Sequence, residues 1–190
     1  TMSDTIIKAE SLCFTYEDGT EALKGIDLEI GRGRKVAFLG ANGSGKSTFF
    51  FCLNGIHRPL SGQLYFDGEP YDYSKQGLLK IRSKVGIVFQ DPDSQLFSAS
   101  VYQEISFGAM NLGLPVDEVQ SRVEQAIQDL EITPFRDKPT HFLSGGQKKQ
   151  VSIADILVMN PDVIVLDEPA AALDPKHTVI VNHLIDKLSE

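Results

Sequence analysis

The stretch that most constrains this chain is G-A-N-G-S-G-K-S, at residues 40–47. It matches the pattern G-x-x-x-x-G-K-[ST], in which glycines let a loop fold tightly and turn its backbone N–H groups inward. The apolar residues 35–39 before it predict a short buried strand, and residues 48–53 after it predict the first turns of a packed helix. A glycine-rich loop between a strand and a helix N-terminus favours the binding of an anion. The alternative is a strand-to-helix turn that binds nothing.

The side chains of this loop favour a nucleotide over a simple anion. Lys46 is expected to reach the β- and γ-phosphates, and the hydroxyl of Ser47 is expected to ligate Mg²⁺. The nucleotide contacts predicted in this stretch are Gly40, Ala41, Asn42, Gly43, Ser44, Gly45, Lys46, Ser47 and Thr48.

Length and composition narrow the remaining possibilities. A chain of 190 residues makes one domain, or one domain with a subdomain. Its net charge of −8 provides no basic surface, so nucleic acid is not expected as a partner. The apolar runs are too short to cross a bilayer, and the N-terminal T-M-S-D-T lacks the regions of a signal peptide. Cys13 and Cys52 lie in apolar patterns and predict buried thiols of a reducing cytosol.

Strand and helix patterns occupy different parts of the sequence. Alternating or apolar runs predict strands at residues 6–16, 22–30, 62–66, 85–89 and 163–166. Helical periodicity dominates residues 91–159, where Val116, Val119, Val123, Ala126, Ile127 and Leu130 share one face. An amphipathic helix is predicted at residues 179–188.

These elements predict an α/β fold with a P-loop NTPase core, a mostly parallel sheet, an antiparallel N-terminal β subdomain and an inserted α-helical subdomain. One domain is expected over residues 1–190. Its nucleotide-binding core would comprise residues 1–90 and 160–190, and its helical subdomain residues 91–159. The last strand and helix should be followed by another parallel strand, so we expect the C-terminal part of the fold to be absent from this sequence.

The run V-I-V-L-D-E places two carboxylates, Asp167 and Glu168, at the end of a predicted buried strand. Ligands of open α/β sheets lie at that end of the strands. We expect Asp167 to hold Mg²⁺ through water and Glu168 to act as the general base for an attacking water. The alternative is an acidic pair that caps the strand in solvent.

The stretch L-S-G-G-Q, at residues 143–147, predicts a second helix start. Ser144 with Gln147 three residues later is typical of a capping box, and a helix N-terminus preceded by glycines favours a second phosphate contact. The alternative, an ordinary capped helix, leaves Gly145 and Gly146 unexplained, because glycine destabilises a first turn.

These motifs, taken in their order along the chain, resemble those of an ABC transporter ATPase subunit. The resemblance rests on the loop at 40–47, Gln90 at a strand end, L-S-G-G-Q, V-I-V-L-D-E-P at 163–169 and A-L-D at 172–174. It covers essentially the whole chain and implies hydrolysis of ATP with Mg²⁺. It also implies a head-to-tail dimer, in which the loop of one subunit and the L-S-G-G-Q stretch of the other enclose each ATP.

The resemblance implies a role for each motif residue. Tyr16 would stack on adenine, and Asp174 would communicate across the dimer. Gln90 would contact Mg²⁺ and the attacking water. The signature that contacts the partner's ATP would be Leu143, Ser144, Gly145, Gly146 and Gln147. The catalytic group would be Glu168, Gln90 and Lys46, and the metal ligands Ser47, Gln90 and Asp167.

Two of these assignments leave an alternative open. Tyr16 also fits an aromatic residue of a strand face in the core. Gln90 also fits a polar residue that ends a strand.

A finer resemblance lies in F-Q-D-P-D-S-Q-L-F, at residues 89–97, followed by E-I-S-F-G at 104–108. This stretch is similar to the ATPase subunits of energy-coupling factor importers, including those for cobalt and nickel. The similarity implies a groove after Gln90 for a coupling helix of a transmembrane subunit, and a separate substrate-specific membrane component. The protein would then lie on the cytoplasmic face of the cell membrane, paired with an identical or paralogous ATPase subunit.

Several features depart from the family pattern, among them Ala170 in place of a usual threonine. Gln150 and Asp155 stand where basic residues are usual. The switch histidine is expected on a strand after the last helix, outside this sequence, and His183 is interpreted as a helix-face residue.

Together, these features predict an ATP-hydrolysing subunit that powers a membrane importer of energy-coupling factor type, taking up a metal ion such as cobalt. The alternatives are an importer of a vitamin or other small solute, a non-transport ABC ATPase, and a nucleotide-binding regulator with vestigial hydrolysis. A GTPase is disfavoured because the sequence lacks the base-reading motif N-K-x-D.

Overall fold

The computed structural model describes residues 4–169 and 173–187, apart from the side chains of Leu184 and Lys187. The described residues form two compact units that divide between Val85 and Gly86. The predicted division into a nucleotide-binding core and a helical subdomain stays a prediction.

The first unit contains an antiparallel sheet of four strands: β1 (Thr5–Thr15), β2 (Glu21–Gly31), β3 (Ser61–Phe66) and β4 (Glu69–Pro70). Their order is β2-β1-β3-β4, which confirms the antiparallel N-terminal strands expected from the sequence. Alternation along β1 buries Ile7 and Ala9, and Ala9 pairs with the buried Leu64 of β3.

Helix α1 (Lys46–Leu53) confirms the helix predicted after the glycine-rich loop. It buries Phe49, Phe50 and Cys52, while Cys13 is only half-buried. The side chain of Asn54, at the end of α1, donates to the carbonyl of Val85 at 2.5 Å. Helix α2 (Lys75–Lys84) lies in the same unit.

The predicted strand at residues 35–39 is wrong for this structure. No strand is assigned there, and Val36 and Leu39 are 48% and 93% exposed. A buried strand needs hydrogen-bonded neighbours for its N–H and C=O groups. Among the described residues, the sheet pairings of the first unit join β1, β2, β3 and β4, and residues 35–39 are not part of this sheet.

Strand β5 (Val85–Val88), which belongs to the second unit from Gly86 onward, and strand β6 (Val163–Leu166) are neighbours in a two-stranded sheet. Both strands were predicted from their apolar runs. The backbone N–H of Asp167 extends the pairing, since it donates to the carbonyl of Val88 at 3.0 Å.

Three helices fill the interval between these strands, as predicted: α3 (Val101–Asn111), α4 (Val116–Asp129) and α5 (Gly145–Leu157). The periodic face of α4 buries Val119, Val123 and Ile127 against the core of the unit. Val116 was predicted on that face but is 72% exposed, because it is the first residue of the helix.

The last described helix is α6 (Pro175–Lys187). It begins four residues before the predicted start because Asp174 supplies a cap for it, and residue 188 of the prediction lies outside the described residues. His183 lies on this helix, as predicted, and it is exposed. Within residues 4–169 and 173–187, no helix combines the length and apolar character that a bilayer crossing requires.

Candidate nucleotide site

The glycine-rich loop ends in a backbone that only glycine fits. Gly45, the N-cap of α1, has a φ of 93°, in the left-handed region that other residues rarely adopt. A Cβ at this position would lie 2.5 Å from the carbonyl oxygen of Ala22. Because glycine has no side chain, the first N–H groups of α1 receive no cap from this residue, and an anion is the group that suits them.

The ammonium group of Lys46 lies over the loop that precedes it. Its Nζ donates to the carbonyl oxygens of Gly40 at 2.8 Å and Ala41 at 2.9 Å. The positive charge therefore lies at the loop that is predicted to bind phosphate. An ammonium group on a flexible side chain is suited to contact phosphate oxygens.

Tyr16 lies beside α1 with part of its ring open to solvent. Its hydroxyl and the Thr48 hydroxyl are 2.7 Å apart, and its ring packs edge-on against Phe14 with a centroid distance of 5.0 Å. The residue is 38% exposed, which is more than a core aromatic would show. A cavity of about 450 Å³ adjoins it, lined by Phe14, Thr15, Tyr16, Glu17, Asp18 and His57.

Two strand ends of the second unit bring Gln90 and Glu168 together. Nε2 of Gln90 donates to Oε2 of Glu168 at 2.8 Å. Glu168 adopts a φ of 47°, which is uncommon for a residue with a side chain and is found mainly at turns and functional sites. Asp167 is 4% exposed at the end of β6, so its carboxylate is buried and that of Glu168 is open.

Sequence analysis did not single out Lys149. This lysine is 1% exposed, and its Nζ donates to the carbonyl oxygens of Phe89 at 2.7 Å and Gln90 at 2.8 Å. Burial lowers the pKa of Lys149, while the carboxylates of Asp167, Asp91 and Glu168 act in the opposite direction. Lys149 therefore ties α5 to the strand end that carries Gln90. A signal was present, since Lys149 shares the spacing of Ile153 and Ile156 on the buried face of α5.

The predicted capping box at the start of α5 is confirmed. The backbone N–H of Gln147 donates to Oγ of Ser144 at 3.3 Å, and the backbone N–H of Ser144 donates to Oε1 of Gln147 at 3.0 Å. These bonds fix the start of the helix without a ligand.

The two glycines of this first turn have different surroundings. Apart from the helix itself, no heavy atom of the described chain lies within 4 Å of the place where a Cβ of Gly145 would stand. A Cβ on Gly146 would lie 2.6 Å from Cγ of His177. Packing among the described residues thus requires glycine at 146 but not at 145.

Asp174 forms two hydrogen bonds with His177. Its Oδ1 accepts from the His177 backbone N–H at 2.9 Å, and its Oδ2 lies 2.7 Å from Nδ1 of the ring. These bonds hold the pKa of Asp174 below its usual range. Asp174 is thereby the N-cap of α6, a role that its motif did not reveal.

The predicted site residues therefore fall into two groups. The glycine-rich loop and Tyr16 belong to the first unit. Gln90, Glu168, residues 143–147 and Asp174 belong to the second, where the structure joins Gln90 to Glu168 directly.

Comparison with known proteins finds similar sequences in the ABC transporter family. The profile of the ABC transporter family matches residues 23–171. Energy-coupling factor transporter ATP-binding protein EcfA3 of Clostridium perfringens is 58% identical over 174 residues, which are 92% of this chain and 61% of that protein. Energy-coupling factor transporter ATP-binding protein EcfA of Methanothermobacter thermautotrophicus is 52% identical over 90% of this chain and 55% of its own length. The chain thus spans about three fifths of the length of these curated relatives.

Solved structures share the fold. The structure of cbiO1 from Clostridium perfringens, described as part of the ABC transporter complex cbiONQ, has a TM-score of 0.87 and 53% identity, over 98% of this chain and 74% of that one. The dimeric ATP-binding cassette MJ0796, in a post-hydrolysis state with ADP and Pi, has a TM-score of 0.89 and 30% identity, over 97% and 83%. These likenesses confirm the predicted fold class, a P-loop NTPase core with an antiparallel N-terminal sheet, a parallel sheet and helices.

Proposed function

We propose, from the premise that this chain belongs to the ABC transporter family, that it binds and hydrolyses ATP to power a membrane importer of energy-coupling factor type. The observation that carries the proposal is the 2.8 Å hydrogen bond between Gln90 and Glu168. It joins an amide that can orient a water to a carboxylate that can take the proton of that water.

Glu168 and Gln90 have different chemical roles in this proposal. Glu168 accepts a proton from the attacking water, and Gln90 holds the carboxylate in place through its NH₂ group. That contact leaves the amide oxygen of Gln90 to face a cation or a water. The left-handed backbone of Glu168, with a φ of 47°, keeps this side chain apart from the buried Asp167.

The donor set at these positions suits Mg²⁺. The ligands that we assign to the ion are the Ser47 hydroxyl, the Gln90 amide oxygen and, through water, the Asp167 carboxylate, all of them hard oxygen donors. Mg²⁺ is held in such enzymes by a few side chains together with water and substrate phosphates, rather than by a protein cage. When bound, the ion would neutralise charge that develops on the phosphates.

The surroundings of Gly145 favour a composite site made by two subunits. Glycine in a helix costs roughly 0.5–1 kcal/mol relative to alanine, and no contact within the described part of the chain requires it at this position. An external group that approaches the backbone closely would require it. We therefore place the phosphates of a partner's ATP against residues 143–147, while Gly40 to Thr48 and Tyr16 hold the ATP of their own subunit.

The exposed apolar face after Gln90 fits a membrane-embedded partner. Phe97 and Phe107 are 68% and 47% exposed and pack edge-on at 5.0 Å, and Met110 on the next turn of α3 is 66% exposed. Soluble surfaces rarely expose such side chains side by side. We propose that this face receives a coupling helix of a transmembrane subunit, which would hold the ATPase at the cytoplasmic face of the membrane.

The cargo would be chosen by other subunits. We propose a metal ion such as cobalt, in line with the relative cbiO1, which is described as part of the complex cbiONQ. A vitamin or another small solute is the competing outcome. Stimulation of the ATPase of the complete transporter by Co²⁺, but not by vitamins, supports the first and excludes the second.

The proposal is tested with Glu168→Gln in the full-length protein. We expect ATP binding to remain and phosphate release to fall by a factor of about 10² to 10⁴, the usual contribution of a general base. Glu131→Gln, on an exposed turn outside the site, is the matched control. Turnover close to that of the parent would exclude Glu168 as the base. Copurification with nucleic acid instead of membrane subunits would overturn the transport function.

A further inference from the structure

His177 lies between two motifs that sequence analysis treats separately. On one side its ring nitrogen Nδ1 is 2.7 Å from Oδ2 of Asp174. On the other side its ring covers Gly146, where a Cβ would stand 2.6 Å from Cγ and 2.7 Å from Nδ1 of the ring. One side chain therefore connects the loop that precedes α6 to the first turn of α5.

The contact with Asp174 fixes the plane of the ring. The side chain of His177 is 16% exposed, whereas that of Asp174 is 57% exposed. A hydrogen bond from Nδ1–H to the carboxylate sets the tautomer and the orientation of the imidazole. The ring therefore cannot rotate without losing this bond.

The contact with Gly146 sets the distance between the first turn of α5 and the ring of His177. A glycine lets the backbone approach a flat ring closely, and the imidazole occupies the space that a side chain would need. A shift of Gly146 toward α6 would therefore collide with the ring, and a shift of the Asp174 loop would displace the ring itself.

We propose that His177 is a positioning residue that couples the Asp174 loop to the signature turn of the same subunit. A partner's nucleotide that engages residues 143–147 would thereby fix Asp174 as well, so the two surfaces respond together. This inference rests on the proposed function, because it concerns the assembly of the composite ATP site.

An ordinary capping role for this segment is separable from the coupling role. The cap of α6 uses the backbone N–H of His177, which donates to Asp174 at 2.9 Å, and substitutions of the side chain other than proline keep this donor. The coupling role instead needs both the ring over Gly146 and the donor to Asp174. His177→Phe keeps the ring without the donor, and His177→Asn keeps a donor near the Nδ1 position without the ring.

The experiment measures ATP-driven dimerisation of the full-length protein in the Glu168→Gln background, which retains bound ATP. Size-exclusion chromatography gives the ATP concentration for half-maximal dimer, and fluorescent ATP gives nucleotide binding by the monomer. We expect His177→Phe and His177→Asn each to raise the half-maximal ATP concentration about tenfold, the effect of losing one ordered polar contact. Monomer binding should not change. His183→Ala, on an exposed position of the same helix, is the control and should behave as the parent.

The outcomes test the coupling role of His177 separately from the proposed function. If either His177 variant dimerises at the parent's ATP concentration, the coupling role is overturned and the proposed function stands. If both variants lose only thermal stability, His177 is structural and the inference fails. A parent that binds ATP but never dimerises overturns the composite site and, with it, the coupling role.

Discussion

The two glycine-bearing helix starts of this chain are built in opposite ways. Helix α1 begins after Gly45, whose left-handed backbone carries no side chain to cap the helix. Helix α5 begins after Ser144, whose side chain and that of Gln147 close a complete capping box. The first start leaves N–H groups for a ligand, and the second is already closed by its own chain.

This difference assigns the two helices to different tasks. At α1 the loop supplies a cation, since Lys46 lies over it at 2.8 Å from the carbonyl of Gly40. At α5 the first turn supplies an uncovered backbone, since Gly145 faces open space. A phosphate would accept hydrogen bonds from the free N–H groups at the start of α1. The first turn of α5 instead presents a fixed backbone surface to a ligand held by another subunit.

The buried sides of the two helices differ as well. Helix α1 buries aromatic and apolar residues such as Phe49 and Phe50, and the hydrogen bonds of Thr48 with Tyr16 and of Asn54 with Val85 add to this packing. Helix α5 buries Lys149, which bonds to two carbonyls at the end of β5, and carries Asp155 with a perturbed pKa. The position of α5 therefore depends on polar contacts.

The largest effect is expected from Lys46→Ala, which removes the cation of the α1 start. ATP affinity of the full-length protein should fall about 100-fold, because charge-assisted bonds to phosphate are lost. Fluorescent-nucleotide titration measures the change. Lys24→Ala is the matched control, since Lys24 is an exposed lysine of the same unit that pairs with Glu21. Unchanged affinity in Lys46→Ala would refute the assignment of α1 as the phosphate site.

Gly145→Ala tests the other half of the comparison. The added methyl group enters open space in the free chain, so thermal stability should stay the same or rise slightly. ATPase turnover of the assembled transporter should fall about 30-fold, because the methyl group separates the turn from its phosphate by a cost of about 2 kcal/mol. ATP binding by the isolated subunit should not change.

Gly146→Ala is the matched control for that substitution. Its methyl group would meet the ring of His177, so this variant should lose about 1–3 kcal/mol of stability. Equal behaviour of the two alanine variants, in stability and in turnover, would contradict the proposed difference between Gly145 and Gly146.

Local sequence signals account for much of this architecture. The capping box at Ser144 and Gln147 was readable because both partners lie within one turn. Strands β1, β2, β3, β5 and β6 were readable from alternation or apolar runs. The predicted strand at residues 35–39 failed because a strand is stabilised by its neighbours, which a local pattern does not report.

The contacts that were missed all join distant parts of the sequence. Lys149 bonds to residues 59 and 60 positions away, and the ring of His177 covers Gly146 across an intervening strand. A lysine on a buried stripe gave a hint, but a histidine near a helix start gave none. Residue type and spacing do not reveal which loop will meet which helix.

Asp155→Asn tests the polar attachment of α5. Burial, followed by the nearby carboxylate of Glu104, raises the pKa of Asp155 to about 7. The folded chain therefore keeps a proton between about pH 4 and pH 7 that the unfolded chain releases, so the stability from Asp155 falls as pH rises through this window. The variant carries no such group. It should be about 1.5 kcal/mol more stable than the parent at pH 8, after allowance for partial exposure, and equal to it near pH 4.

Urea unfolding at several pH values measures this difference. Asp117→Asn, which makes the same charge change on the exposed first turn of α4, is the control. A gap between Asp155→Asn and the parent that is constant with pH would mean that Asp155 is not protonated in the folded chain at pH 5.

The smallest effect is expected from Ser144→Ala, which opens the capping box of α5. Loss of the bond from the Gln147 N–H to the Ser144 hydroxyl should cost about 1 kcal/mol of stability. Ser74→Ala removes the same kind of cap from α2, where Gly77 N–H donates to Ser74 Oγ at 3.1 Å, and should cost a similar amount. Only Ser144→Ala should also slow ATP turnover, because of these two helix starts only that of α5 is proposed to contact a nucleotide. If both substitutions affect stability alone, the capping box of α5 serves only the folding of the helix. The proposed contact between the α5 start and a nucleotide would then be contradicted.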